Sequence, residues 1–242
     1  MNMIKNLIAK IFIISFCLIF TNNLYAAENI KGAATEYIIT MTKVELCETG
    51  STIANCLNPI DITSSNGATA DIAAVEAGAT AGTVADFGKA IVGKTYTHVQ
   101  TVLSRAMTIT GKAGTSGKCT TIAGTNGALN SAGAVGALNG TPGSAILYVP
   151  FFNQDTSKYS MMEGSDENGE NLATLATVRT TDTHFRSRNA LTTPYTPTAG
   201  SSPTVFLAFD TSIAVNELDD DDCTNAGLQA APPTVTITVQ GQ

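Results

Sequence analysis

The chain has 242 residues, of which 13 are basic and 20 acidic, giving a formal net charge of −7. Charged residues make up 14% of the chain and aromatic residues 6%, and there is no tryptophan. Because phosphate binding needs clustered lysine and arginine, this acidic balance argues against a nucleic-acid partner. A composition so poor in charged and aromatic residues is more typical of surface layers, fibres and adhesins than of enzymes.

The N-terminus has the three parts of a secretory signal peptide. Two lysines precede an apolar run over residues 11–20, and a polar stretch then ends at the small residue Ala26. The apolar run is about half of the ~20 residues that a membrane-spanning helix needs. We therefore expect residues 1–26 to be cleaved, with no transmembrane segment left in the mature chain. Residues 27–242 are expected to form one domain, exported to the periplasm, the cell surface or the medium.

The mature chain keeps four cysteines: Cys47, Cys56, Cys119 and Cys223. In an oxidising compartment an even number predicts disulfides, and four cysteines allow three connectivities. We favour the pair Cys47 and Cys56, which bracket a short polar turn, and the other two cysteines then pair across the fold. A zinc site is the alternative, but no Cys-x-x-Cys spacing is present and only two histidines could assist.

β-Branched residues and period-two alternation dominate after the leader, and this pattern predicts an all-β fold. Residues 35–47 are expected to form the first strand, with a bulge near Thr42 where the apolar phase shifts. Short strands at 60–63 and 69–75 follow, separated by an Asn-Gly turn. The longest predicted strand covers residues 96–110.

Three side chains in and after this long strand are candidates for function. Arg105 falls in its apolar phase, which we interpret as a strand reaching a sheet edge, with the guanidinium in water; an anion-binding arginine is the functional alternative. His98 lies in its polar phase, and His184 lies in the polar segment 180–189. Nucleophilic catalysis needs a serine or cysteine held against an oriented histidine. With no Gly-x-Ser-x-Gly motif and the cysteines in bridges, we interpret both histidines as surface residues and expect no enzyme activity.

Residues 111–144 are rich in Gly, Ala, Thr and Asn, and Gly-Ala-Leu-Asn occurs twice, at Gly127 and Gly136. Because a structureless loop of this length is unusual in a compact domain, we expect a small hairpin, an ordered surface excursion or a functional loop. Further strands are predicted at 145–152, 172–179, 203–211 and 233–240. The total of roughly eight to ten strands suits a two-sheet antiparallel β-sandwich.

The most acidic stretch of the chain contains Glu217, Asp219, Asp220, Asp221 and Asp222, and ends at Cys223. Clustered carboxylates are hard oxygen ligands that suit calcium, and a disulfide at Cys223 would hold such a loop rigid. The alternative is a solvated loop whose charges repel one another. Calcium is thus the one cofactor that the sequence suggests.

Two segments resemble secreted bacterial β-sandwich surface domains of the immunoglobulin/prealbumin-like type, which are of uncharacterised function. They are residues 72–110, centred on Gly93-Lys-Thr-Tyr-Thr-His-Val-Gln-Thr-Val-Leu, and the later Phe206-Leu-Ala-Phe-Asp. The resemblance implies a two-sheet fold and carbohydrate binding. Gln100 stands where those domains usually have a basic residue, so no ligand residue is carried over.

The expected function is that of an exported, non-enzymatic structural or adhesive protein of the cell surface. It would be a filament or surface-layer subunit that assembles by β-strand addition, and the terminal strands 35–47 and 233–240 are candidates for exchange between copies. The alternative is a periplasmic or extracellular module that binds glycans or calcium. The expected partners are accordingly a second copy of the chain or a surface glycan.

Overall fold

The structure is a computed structural model that describes residues 30–64, 68–74, 79–80, 85–130, 133–150, 162–166, 169, 180–201, 203–218, 223–224 and 227–240. These residues form sixteen strands and two 3₁₀ turns, which confirms the all-β prediction. The strands are β1 (Ile30–Gly32), β2 (Ala34–Glu48), β3 (Ile60–Asp61), β4 (Ala68–Asp71), β5 (Ala79–Thr80), β6 (Tyr96–Ser104), β7 (Ala106–Ala113), β8 (Cys119–Thr121), β9 (Gly136–Leu138), β10 (Ala145–Tyr148), β11 (Met162–Ser165), β12 (His184–Tyr195), β13 (Thr204–Asp210), β14 (Val215–Glu217), β15 (Leu228–Ala230) and β16 (Thr234–Gln240). The turns are Phe87–Lys89 and Thr115–Gly117.

Strand β2 is the axis of the fold. Strands β6 and β7 run antiparallel along one side of it, as two halves of a long strand that is interrupted at Arg105. The register of β2 against β6 shifts between Met41 and Lys43, which confirms the bulge predicted near Thr42. The long strand predicted over residues 96–110 is therefore present, with one break that the alternation did not reveal.

The sheet divides into two wings at that break. On the side away from β2, β6 pairs with β12, which leads to β16 and β13, whereas β7 pairs with β10 and β8. The contact of β12 with β16 is parallel, at Leu191 and Ile237. Apart from a small sheet of β1, β14 and β15, the pairings form one large branched sheet. The described strands thus do not separate clearly into the two antiparallel sheets that were expected.

The core follows the same division, with one apolar cluster under each wing. Tyr37 and Ile109 are fully buried in the cluster around β7, and Leu46 and Tyr96 are fully buried in the cluster around β6. The small sheet packs on the first cluster at Gly111, where a Cβ atom would lie 2.6 Å from the carbonyl oxygen of Ala33 and 2.7 Å from Val215 Cγ2. Only glycine allows so close an approach of the two layers.

The remaining predicted elements have mixed outcomes. The Gly-rich region contains a small antiparallel pair, β8 with β9, as one of its three interpretations required. The strand predicted at 172–179 and the Asn-Gly turn lie outside the described residues. By contrast, the segment 180–189, interpreted as a polar surface segment, begins the twelve-residue strand β12. None of the helical segments in the described ranges has the length and apolar character that crossing a bilayer requires.

Candidate functional site

Arg105 lies at the fork between the two wings, and the structure corrects its interpretation as a residue at a water-facing edge. Its side chain is 0% exposed. The guanidinium donates from Nε to the carbonyl oxygen of Val149 at 2.9 Å, from Nη1 to that of Asp182 at 2.8 Å and from Nη2 to that of Leu129 at 2.9 Å. Burial lowers the pKa of Arg105, and the charge of Asp182 opposes this shift.

The position of these acceptors explains why an arginine is needed here. Val149 follows β10 and Asp182 precedes β12, so both carbonyls lie where the strands diverge and lose their ladder partners. Leu129 comes from the Gly-rich region and lies over the same fork. The donors of a planar guanidinium lie on three separate nitrogen atoms in a fixed geometry, whereas the three N–H groups of a lysine all belong to one atom. Arg105 is therefore a clamp on three chain segments, and this arrangement gives no support to the anion-binding alternative.

A cavity of about 110 Å³ lies between the two apolar clusters, with Tyr37 and Met107 of the first and Val99 and Ile237 of the second among its lining residues. Strands β2, β6 and β12 form one wall, and β13 and β16 form the wall opposite. The lining is mainly apolar, with Met41, Leu103 and Phe185 on the first wall and Val205, Leu207 and Phe209 on the second. Pockets of this type, apolar with a few polar groups, are where small ligands usually bind.

Three polar side chains interrupt the apolar lining: Thr101 on β6, and Ser187 and Asn189 on β12. Ser187 lies directly opposite Thr101 in the ladder, and Asn189 is two residues farther along its strand. Within the described part of the chain, the side chains of Thr101 and Asn189 have no hydrogen-bond partner. The cavity thus contains hydrogen-bonding groups that the protein itself leaves unused.

The opposite face of the same strands carries a buried polar row of Glu45, Gln100 and Arg188. Gln100 Nε2 donates to Glu45 Oε2 at 2.5 Å, and the Nζ of Lys43 lies 2.9 Å from Glu45 Oε1. Arg188 Nη1 donates to the carbonyl oxygen of Ile53 at 3.2 Å. This last bond attaches the loop closed by the first disulfide to the central sheet, so the row acts as a structural support.

The two histidines lie at opposite ends of the β6–β12 ladder. His98 faces Cys47 on one neighbour and Ala190 on the other, and His184 faces Ser104. Both side chains are half-buried rather than fully exposed at the surface. Burial, together with the charge of Arg188, lowers the pKa of His98.

This shift predicts a pH dependence of stability. Because the pKa of His98 is lower in the folded than in the unfolded state, the unfolded state gains protons first as the pH falls through about 6.5. The free energy of unfolding should therefore decrease between about pH 7 and pH 5, and His98→Gln should remove this part of the decrease. Urea unfolding at several pH values measures it; equal slopes for parent and variant would contradict the prediction.

Of the predicted calcium ligands, the structure describes Glu217 alone. It lies in β14 rather than in a loop, pairs through its backbone with Ile30 and Leu228, and is 1% exposed. Asp219, Asp220, Asp221 and Asp222 lie outside the described residues. In the described ranges no three metal-binding side chains come together. Calcium and glycan binding both stay predictions.

Strand β13 lies near one end of the larger wing. Seven residue pairs join it to β16 on one side, whereas on its other side the described residues provide two pairs, with Ala79 and Thr80. Its sequence is Thr-Val-Phe-Leu-Ala-Phe-Asp, without lysine, arginine or proline. Natural sheets usually protect an edge with such residues, because an apolar edge can pair with another chain.

The two terminal strands that were candidates for exchange are internal. Strand β2 is paired on both sides, and β16 lies between β12 and β13. Exchanging either one would break two ladders at once, which disfavours that route of association. The N-terminal strand β1 is different, since it is joined to β14 by three residue pairs.

The two disulfides are Cys47–Cys56 and Cys119–Cys223, the connectivity favoured among the three possible ones. The first closes the loop beside Arg188, and the second ties β8 to the chain beyond β14. No family model, curated protein or solved structure matches this chain. The functional proposals therefore rest on its own residues.

Proposed function

We propose that this protein is an exported, non-enzymatic subunit of a cell-surface structure, and that it assembles by accepting a strand at the edge of β13. The observation that carries the proposal is the apolar seven-residue β13, whose outer side pairs with the two-residue β5 at Phe206 and Leu207, so that an incoming strand would replace β5 there. Export is supported by the signal-like leader and by two disulfides, which are compatible with an oxidising compartment. We interpret the two wings as the layers of a distorted β-sandwich.

The strand that we propose as donor is β1 of a second copy. It is held by three pairs in its own chain and lies just after the expected cleavage site. Donor and acceptor are different surfaces, so the contact is heterologous and each added copy leaves a new acceptor edge. Main-chain hydrogen bonds supply the affinity in this mode of association. Such a contact builds open filaments, or rings where the rotation closes, rather than two-fold symmetric dimers.

A charge on the acceptor edge should prevent assembly. Lysine on an edge strand disfavours pairing with a further strand, so Ala208→Lys is expected to convert assemblies of the mature protein into monomers. Thr236→Lys is the matched control: Thr236 is the cross-strand neighbour of Ala208, but it lies on the internal strand β16. Size-exclusion chromatography and negative-stain electron microscopy measure the outcome, and circular dichroism checks that both variants fold.

Removing the residues before Ala34 tests the donor separately. The truncated chain keeps β13 and should be monomeric on its own, but it should still bind at the end of a preformed assembly. A parent protein that is monomeric under all conditions would contradict the proposal. Assembly of Ala208→Lys to the same extent as the parent would show that β13 is not the acceptor.

A further inference from the structure

We propose that the cavity between β6, β12 and β13 is a binding site for a small amphiphile, with an apolar body of about one six-membered ring and a single hydrogen-bonding group. This inference does not depend on the assembly proposed above. It rests on the volume of the cavity, on its apolar walls and on the two unpartnered polar side chains, Thr101 and Asn189.

The size of the cavity limits the ligand. Its volume is about 110 Å³. An apolar cavity of about 150 Å³ takes up benzene or xenon, so this one suits a single ring or a short alkyl chain rather than a sugar chain or a peptide. A bound ligand would contact Leu103, Phe185 and Leu207, and would give these side chains the dispersion interactions that they lack beside an empty space.

The polar groups show that the cavity is more than a packing defect. On a strand face that lines an apolar space, the positions are expected to be apolar, yet positions 187 and 189 of β12, which line the cavity, are Ser and Asn. Such departures from a folding rule are expected where a protein binds something. The hydroxyl of Thr101 can donate or accept, and the amide of Asn189 can do both. They match a ligand hydroxyl or carbonyl.

The ligand site therefore has two parts that can be tested separately, an apolar space and a polar wall. Phenol and toluene are matched probes, because both have one ring with one substituent and only phenol carries a hydroxyl. We expect both to bind the parent protein and phenol to bind more tightly. Calorimetric titration of the folded mature protein with each probe gives the dissociation constants.

Three variants assign the binding to this cavity. Thr101→Val combined with Asn189→Ala should weaken phenol binding by about 5- to 10-fold, corresponding to about one net hydrogen bond, and should change toluene binding by less than about 2-fold. Val235→Phe places a larger side chain in the opposite wall and should abolish binding of both probes. Thr236→Val makes the same change from Thr to Val on the exposed side of β16 and should bind both probes as the parent does.

Two results would overturn the proposal. The first is the absence of binding of either probe up to its solubility limit. The second is equal affinity for phenol and toluene together with no effect of the Thr101→Val and Asn189→Ala changes. A melting curve for each variant confirms the folded state, and the polar double variant adds no volume that could disrupt the wall.

Discussion

Arg105→Met is expected to lower the melting temperature by about 10 °C, corresponding to a loss of roughly 3–5 kcal/mol in the free energy of unfolding. The arginine is 0% exposed and donates to three backbone carbonyls. Methionine has an unbranched apolar stem that reaches about as far as the arginine Nε, so most of the volume is kept while all the donors are lost. The cost is that of leaving buried carbonyl oxygens without a partner.

The melting temperature of Arg105→Lys should lie between those of the parent and Arg105→Met. This variant separates the effect of the charge from that of the hydrogen-bond geometry. Lysine keeps the positive charge, but its three N–H groups belong to one nitrogen atom and do not match carbonyls that are placed around three nitrogens of the guanidinium. If the charge alone mattered, Arg105→Lys would match the parent. If the directed hydrogen bonds matter, Arg105→Lys should recover only part of the stability that Arg105→Met loses.

Lys94→Met is the control for removing a cation at an exposed position, near the other end of β6 from Arg105. Lys94 is 52% exposed and its Nζ lies 3.3 Å from Glu48 Oε1. Exposed ion pairs contribute little, so its melting temperature should stay within about 2 °C of the parent. Thermal unfolding followed by circular dichroism measures all three variants. The clamp role of Arg105 would be wrong if Arg105→Met melted as the control does.

The strands that the sequence revealed are those with one apolar and one polar face. In β2 the apolar phase is uninterrupted on each side of Thr42, and a one-residue shift in that phase is what a bulge requires. Strand β16 also alternates clearly, whereas β13 is a short run that is apolar in both phases. Their partners were not predictable, because which strands lie side by side depends on contacts that are distant in sequence.

Strand β12 was missed for an identifiable physical reason. Its inward positions include Ser187 and Asn189, and Arg186 and Arg188 occupy outward positions. Neither face therefore reads as apolar, and the segment was interpreted as a polar surface. If the cavity binds a ligand, Ser187 and Asn189 have two effects: they remove the apolar alternation that would have predicted the strand, and they line the binding site.

Arg105 and Glu217 show a second limit of the sequence. Both are charged side chains, and both were placed in or near water, yet the structure buries them. The acceptors of Arg105 come from three separate segments of the chain, and Glu217 lies in a small sheet whose strands β1 and β15 are far apart in sequence. The sequence around each residue does not predict partners that are so distant along the chain. For Arg105 the sequence did hold a signal, a charged residue in the apolar phase of a strand. The correct interpretation of that signal was a buried side chain with hydrogen-bond partners.

The two disulfides are expected to contribute unequally to stability. Cys119 and Cys223 are 104 residues apart in sequence, whereas Cys47 and Cys56 are 9 apart. In the chain-entropy model a loop of about 100 residues is worth about 4.7 kcal/mol and one of about 9 residues roughly 2.6 kcal/mol. The double variant Cys119→Ala with Cys223→Ala should therefore lose about 2 kcal/mol more than Cys47→Ala with Cys56→Ala.

The dependence on denaturant gives a second, independent measure of the same difference. The long cross-link keeps the unfolded chain compact, so removing it exposes more surface on unfolding and should increase the slope m of the unfolding free energy against urea. Removing the short cross-link should change m little. Folded-state contacts predict no such contrast, because both bridges include buried cysteines: Cys47, Cys119 and Cys223. Equal losses of stability with equal slopes for the two double variants would mean that the bridges act through local packing instead of through the unfolded chain.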